Sequence, residues 1–283
     1  MSKFNSTKGK EQETIRKIAH PALGEIYCLN EPETRMVLDE IFVDKLYFRE
    51  GVSILPGDIV FDVGANIGAF TLCAAQHGAE VYAYEPIPAT FGLLQQNIHL
   101  HGYDKIAQAS NIGLSDRAEE KIMFHYPTLS VWDSWTARDG EIEVMVENWE
   151  DILEILKSSD PDQYKAIRRL GSKPLQQSAV REMTETILAS AVKIKCKFNT
   201  LSGVMAQENI QSIGLLKLDA ELADWEILNG VKTEDWQRIR QISMEVHLES
   251  DVAPISQFLS ERGFSRVIGK KWRVGTNCVW AIK

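Results

Sequence analysis

Long apolar runs are missing from this chain: no stretch reaches membrane-spanning length, and no hydrophobic segment near the start has the form of a secretory leader. The expectation is a chain that neither crosses nor is threaded through a bilayer. Cysteine is scarce, and Cys28, Cys73, Cys196 and Cys278 lie far apart with no metal-ligand spacing, which points to a reducing cytoplasm. Cys73 reads as a core thiol. Positive charge is short as well, with 31 Lys and Arg against 40 Asp and Glu. The net charge of −9 argues against a nucleic-acid partner, since phosphate contacts need a basic surface. What is present is ordinary for a globular enzyme, 44% hydrophobic and 25% charged over 283 residues, enough for one α/β domain carrying an insertion.

The most informative segment is Val60-Phe61-Asp62-Val63-Gly64-Ala65-Asn66-Ile67-Gly68, followed by Tyr82-Ala83-Tyr84-Glu85. An apolar run that breaks at glycine and continues as a helix with Phe70, Leu72, Cys73 and Ala74 inward describes a strand, a ligand loop and a helix. Gly64 and Gly68 leave room for the turn and the ligand, and backbone N–H groups at the helix start face it. Glu85 falls roughly 20 residues beyond the loop, where a carboxylate ending the second strand accepts hydrogen bonds from both ribose hydroxyls.

Two cofactor classes share that geometry. A dinucleotide site favours G-x-G-x-x-G, whereas this loop has Gly64 and Gly68 with three residues between. Asp62 beside the loop repels a phosphate but pairs with the ammonium of an amino-acid tail, the group S-adenosylmethionine carries in place of a pyrophosphate. The methyl donor is therefore the expected cofactor, with a dinucleotide oxidoreductase as an alternative and a glycine loop that merely turns as another.

Residues 1–50 are expected to form an N-terminal lead, its polar start from Met1 to Lys17 frayed, followed by a helical segment within Asn30 to Phe48 that packs as a lid or brace against the sheet edge. Residues 51–283 are expected to form the catalytic domain. Helix-prone stretches Trp149 to Lys157 and Gln176 to Ala189 mark an inserted helical lid over about 126–190, where substrate choice commonly resides. A helix is expected from Pro88 to His101, a strand near Ile106 to Ser110, a strand over Val192 to Phe198, and a helix capped by Thr200. Buried strands are expected at Ile213 to Asp219 and Ile239 to Leu248. Ligands bind outside the carboxyl ends of such strands, so Asp219, Glu221, Glu245 and His247 are expected to gather near Asp62 and Glu85.

In the order Asp62-Val63-Gly64-Ala65-Asn66-Ile67-Gly68, Tyr84-Glu85-Pro86-Ile87-Pro88, Leu215-Leu216-Lys217-Leu218-Asp219-Ala220-Glu221, Asp235-Trp236-Gln237-Arg238-Ile239 and Met244-Glu245-Val246-His247, the chain resembles the FkbM family of S-adenosylmethionine-dependent methyltransferases, particularly those associated with polyketide and peptide synthases. The resemblance runs from about Phe48 to the C-terminus. It implies a doubly wound, Rossmann-like class I methyltransferase sheet, mostly parallel with an antiparallel C-terminal strand. Leu222 departs from the glycine or lysine usual after the Asp-x-Glu element, and Asp224 takes a place often held by glutamate. The donor is then expected to contact Asp62, Gly64, Asn66, Gly68, Glu85 and Pro86, with Asn111 at the adenine edge.

The resemblance also implies O-methylation. Methyl transfer from a sulfonium needs an aligned acceptor and removal of its proton. His247 is the expected general base, Glu245 orients it or binds the acceptor, and Asp219 completes the catalytic set. A divalent cation held by Asp219, Glu245 and His247 is a second, less favoured mechanism, and no metal motif is written in the sequence. A fold that binds the donor without catalysis is the remaining alternative, motivated by Leu222. The acceptor is expected to be a hydroxyl on a small molecule or on an intermediate held by a carrier protein, and the protein a monomer or homodimer.

Overall fold

The structure, a computed structural model, describes residues 15–127, 129–135, 141–273 and 276–283. It begins with an antiparallel hairpin, β1 (Arg16–His20) and β2 (Gly24–Cys28), then α1 (Glu31–Phe42), capped by Asn30, whose Oδ1 accepts the Glu33 N–H at 3.0 Å. Next come β3 (Ile59–Val63), α2 (Ala69–Gln76), β4 (Glu80–Tyr84), α3 (Pro88–Leu100) and β5 (Ala107–Ser110). Two strands, β6 (Gly113–Leu114) and β7 (Glu119–His125), precede four inserted helices, α4 (Glu141–Glu147), α5 (Trp149–Ser159), α6 (Pro161–Arg168) and α7 (Lys173–Ala189). The second half runs β8 (Val192–Asn199), α8 (Leu201–Gln207), β9 (Leu215–Leu218), α9 (Asp224–Asn229), β10 (Gln241–Val246), α10 (Glu249–Glu261), β11 (Arg266–Arg273) and β12 (Thr276–Ile282).

Seven strands form the central sheet in the order β11-β12-β10-β9-β3-β4-β5. Pairings from β5 through β10 are all parallel, and β12 runs antiparallel to both its neighbours, as expected. The inner strands β3, β4, β9, β10 and β12 are buried almost throughout because both faces are covered, whereas the edge strands β5 and β11 are partly exposed. On one face β1, β2 and α1 to α3 contribute to a core that includes Ile26, Leu38, Leu72 and Leu94; on the other, α8 to α10 bury Met205, Leu228 and Leu259. The direction of chain progression reverses between β3 and β9, so their carboxyl ends frame the crevice in which such sheets bind ligands.

Register decides what sits there. Asp62 of β3 lies opposite Lys217 of β9, and Lys217 lies opposite Ser243 of β10. Two residues further along, on the same face, come Asp219 and Glu245. The strand pairing alone therefore sets Lys217 beside the Asp62 carboxylate and places an acidic tier, Asp219 and Glu245, above it.

Several sequence expectations meet the structure closely. α3 begins at Pro88, and Thr200 caps α8 with its Oγ1 accepting the Gly203 N–H at 2.8 Å. The segment from Val192 forms β8 in a separate three-stranded sheet, β6-β8-β7. The lead differs from expectation. Arg16 and Lys17 lie in β1 rather than in a frayed tail, while residues 1–14 of that expected tail lie outside the described residues. α1 packs on α2 and α5. The inserted helices carry a small core of their own around Trp149, Leu153 and Val180. Among the described residues no helix is long and apolar enough to cross a membrane.

Candidate active site

The loop after β3 is shaped by how near another backbone comes. Gly64 has φ +74°, and a Cβ there would fall 1.8 Å from the Asp219 carbonyl oxygen. Only glycine allows this approach of the loops after β3 and β9. Asn66 also lies in the left-handed region at φ 49°, where asparagine is tolerated. Its N–H donates to Glu85 Oε2 at 2.9 Å, while the Ile87 N–H and Thr90 Oγ–H both donate to Oε1 at 2.9 Å. These bonds fix the carboxylate at the end of β4. Burial nonetheless pushes Glu85 up to about 7, with nearby Asp133 adding to the rise.

Loop and strand end line a cavity of about 110 Å³. Its charged groups are mainly acidic: Glu33, Glu85, Asp133, Asp219 and Glu221 line it, and Lys217 is the one Lys, Arg or His to do so among the described residues. Glu33 reaches across from α1 to accept the Ser130 Oγ–H at 2.9 Å and the Val131 N–H at 2.7 Å, and burial raises it to about 7. Asp133 pairs with buried His125 at 2.7 Å. Such a wall suits a diol or a cation and repels a phosphate.

Gly64, Asn66, Glu85 and Pro86 line this cavity, whereas three other expected donor contacts do not. Asp62 is fully buried; it accepts the Thr71 Oγ–H at 2.6 Å and lies 3.1 Å from Lys217 Nζ. Its charge is spent in the sheet and reaches the cavity through Lys217, which also donates to the Gly64 carbonyl at 2.8 Å. Gly68, at φ +94°, caps α2 against Leu94. Asn111 spends both amide hydrogens on the carbonyls of Glu85 at 2.9 Å and Pro86 at 3.0 Å, so its amide nitrogen holds the Glu85 loop.

A second cavity, about 780 Å³, lies between α1 and the inserted helices and shares Glu33, Tyr47, Asp219 and Glu221 with the first. Glu245 and His247 line only this larger space. Ligand atoms of Asp219, Glu245 and His247 all fall within 4.8 Å of one another, so the sheet brings the expected catalytic set together. Tyr47, from the short 3₁₀ segment after α1, stands at the centre, its hydroxyl 2.8 Å from Asp219 Oδ2 and 3.0 Å from Glu245 Oε1. One O–H cannot donate to two carboxylates at once. Both contacts are satisfied when Glu245 carries a proton, consistent with burial and the adjacent Asp219 pushing it up to about 8.

His247 Nε2 lies 3.1 Å from Glu221 Oε2, and Nδ1 lies 4.0 Å from Asp224 Oδ2. Burial disfavours the imidazolium, but the two carboxylates outweigh it and raise His247 well above its ordinary value. Glu221 reaches the ring from a strained turn in which Glu221 and Leu222 take φ 43° and 66°. Two successive non-glycine residues in that region cost about 1–2 kcal/mol each. Glycine at the place of Leu222 would relieve part of this.

The sequence reading missed Tyr47, Glu33 and Asp133. The Asn30-x-x-Glu33 spacing would signal only a helix start; here Glu33 supplies a backbone N–H to the cap while its carboxylate serves the cavity.

The family model for the methyltransferase FkbM domain matches residues 62–266. The chain is 32% identical over 247 residues to the 31-O-demethyl-FK506 methyltransferase FkbM of Streptomyces tacrolimicus, covering 84% of this chain and 85% of that protein. It is 30% identical to part of the AMB antimetabolite synthetase AmbE of Pseudomonas aeruginosa, covering 83% of this chain but only 11% of that protein. Among solved structures it resembles the methyltransferase FkbM of Methylobacillus flagellatus with a TM-score of 0.50 at 11% identity, over 84% of this chain and 47% of that one. At that identity the likeness concerns fold alone.

Proposed function

The chain belongs to the FkbM family of S-adenosylmethionine-dependent methyltransferases, and from that premise we propose that it transfers the methyl group to a hydroxyl oxygen of a small molecule or a carrier-tethered natural-product intermediate. The observation that carries this reading is the junction of the two cavities. Asp219 and Tyr47 line both, while Glu245 and His247 face only the larger one. A donor in the small cavity and an acceptor in the large one meet beside a proton-accepting set.

Glu85, held at the end of β4, is the proposed partner of the ribose hydroxyls, and the acidic wall near Asp219 suits an ammonium and a sulfonium. When bound, the donor supplies an electrophilic methyl carbon on a good leaving group, so the protein's task is alignment and proton removal. His247 is the proposed base. Glu221 and Asp224 favour its imidazolium, which cannot accept a proton. The positive charge of a bound donor would oppose that proton and favour the neutral imidazole that serves as base. Tyr47 holds Asp219 and Glu245 in place on the acceptor side.

Convergence of Asp219, Glu245 and His247 favours a second reading, a divalent cation that lowers the acceptor hydroxyl's pKa. The experiments separate cleanly. Activity insensitive to chelator and lost in His247→Ala supports the base; activity removed by chelator and restored by Mg²⁺ or Mn²⁺ supports the metal. Calorimetry with S-adenosylmethionine that gives no heat would instead support a fold that has lost its enzyme.

Two relatives support the acceptor class: one carries a name that sets the methyl on an oxygen of FK506, and the other is a synthetase. The dinucleotide alternative has neither a basic cavity for pyrophosphate nor a family match behind it.

A further inference from the structure

The geometry points to a class of acceptor: a mostly apolar alcohol, neutral or cationic, that carries no negative charge into the site. This rests on the larger cavity being the acceptor site. That cavity, about 780 Å³, falls within the roughly 300–1,000 Å³ typical of pockets for drug-sized ligands. Its walls come chiefly from α1 and the inserted helices and are aliphatic, with Met36, Met145 and Met183 among them. Methionine side chains adapt to irregular shapes, so the wall accommodates a bulky apolar body without fixing one outline.

Charge narrows the class further. Carboxylates of Glu33, Asp219, Glu221 and Glu245 line the reacting end, and Asp160 and Glu182 lie on the helical side. Among the described residues no lysine or arginine lines this cavity, and its one histidine, His247, is engaged by Glu221 at 3.1 Å. A carboxylate or phosphate entering it would be desolvated beside these acids, and the His247 imidazolium is already paired with Glu221.

The test is binding, read apart from turnover. With S-adenosylhomocysteine present, 1-decanol, decylamine and decanoate are titrated by calorimetry. The expected result is binding of the alcohol and the amine at least tenfold tighter than decanoate. Met183→Lys, or Ile187→Lys should the first not fold, is expected to improve decanoate binding at least tenfold, with S-adenosylhomocysteine affinity showing that the protein is intact. Decanoate binding the unaltered protein as tightly as decanol would overturn the inference, as would a folded lysine variant with unchanged preference. If the preference for uncharged and cationic probes holds but no alcohol is ever methylated, the acceptor-oxygen reading fails while the charge selection stands.

Discussion

Lys217→Met offers the sharpest test of how this site is built. Lys217 is 3% exposed, with Nζ 3.1 Å from Asp62 Oδ1, 3.7 Å from Asp219 Oδ2 and 2.8 Å from the Gly64 carbonyl. Burial works against its charge, but Asp62 and Asp219 more than compensate and raise its pKa, so the lysine is an ammonium. Methionine keeps the length and removes the charge, leaving the fully buried Asp62 with only its Thr71 hydrogen bond. Breaking a buried ion pair by removing one partner costs about 3–5 kcal/mol. Against a total stability of about 5–15 kcal/mol this is a large fraction, and it should lower Tm by about 10 °C. Asp62→Asn removes the stranded charge, so the double variant Asp62→Asn/Lys217→Met should be more stable than Lys217→Met alone, with a coupling energy above about 1 kcal/mol. Urea unfolding followed by circular dichroism measures all four corners of the cycle. A single-variant loss below about 1 kcal/mol, or strictly additive effects, would refute the argument that register, not the ligand, fixes Asp62's partner.

Gly64→Ala places a methyl against the Asp219 carbonyl at a positive φ, so it should cost about 2–5 kcal/mol and abolish donor binding, measured by thermal unfolding and by titration with S-adenosylhomocysteine. Glu85→Gln keeps the shape but loses a charged acceptor, and calorimetry should find S-adenosylhomocysteine bound about ten- to a hundredfold more weakly; unchanged affinity would remove Glu85 from the ribose role. Stability should fall as pH rises from about 5 to 8. Glu33 and Glu85 are raised to about 7 and Glu245 to about 8 in the folded protein, against 4.5 for an unperturbed glutamate, so the folded state holds protons that the unfolded chain has released. For each group the stabilisation lost is on the order of 3 kcal/mol. Denaturant melts across that range should show the decline, flattened by Glu33→Gln; a rise in stability between pH 5 and 8 would contradict it.

How much could be seen beforehand follows from which interactions are local in sequence. The glycine loop, α2 and Glu85 sit within one strand-helix-strand unit, where period and spacing carry the information, and they were legible. The inserted helices α5 and α7 were legible for the same reason, by their helix-prone stretches. β1 and β2 were not, because five-residue strands around a short turn have too few alternations to stand out. Tyr47 could not be found, since its partner Asp219 lies 172 residues away and nothing near Leu46-Tyr47-Phe48 reports it. Asp62 and Asn111 were placed near the ligand on the strength of their neighbours. The register against Lys217 and the carbonyls of Glu85 and Pro86 gave them other partners. His247, Glu245 and Asp219 were correctly gathered because strand ends on one face of a parallel sheet must converge.

The central claim is that the methyl group passes from the small cavity to an oxygen in the large one. Incubating the protein with S-adenosylmethionine carrying a ¹³C methyl and a panel of uncharged apolar alcohols, then locating the label by NMR, tests it directly. The account predicts a methyl ether, absent with His247→Ala under the base mechanism and absent with Glu85→Ala under either mechanism. Label on carbon or nitrogen, or donor turnover that survives Glu85→Ala undiminished, would contradict it.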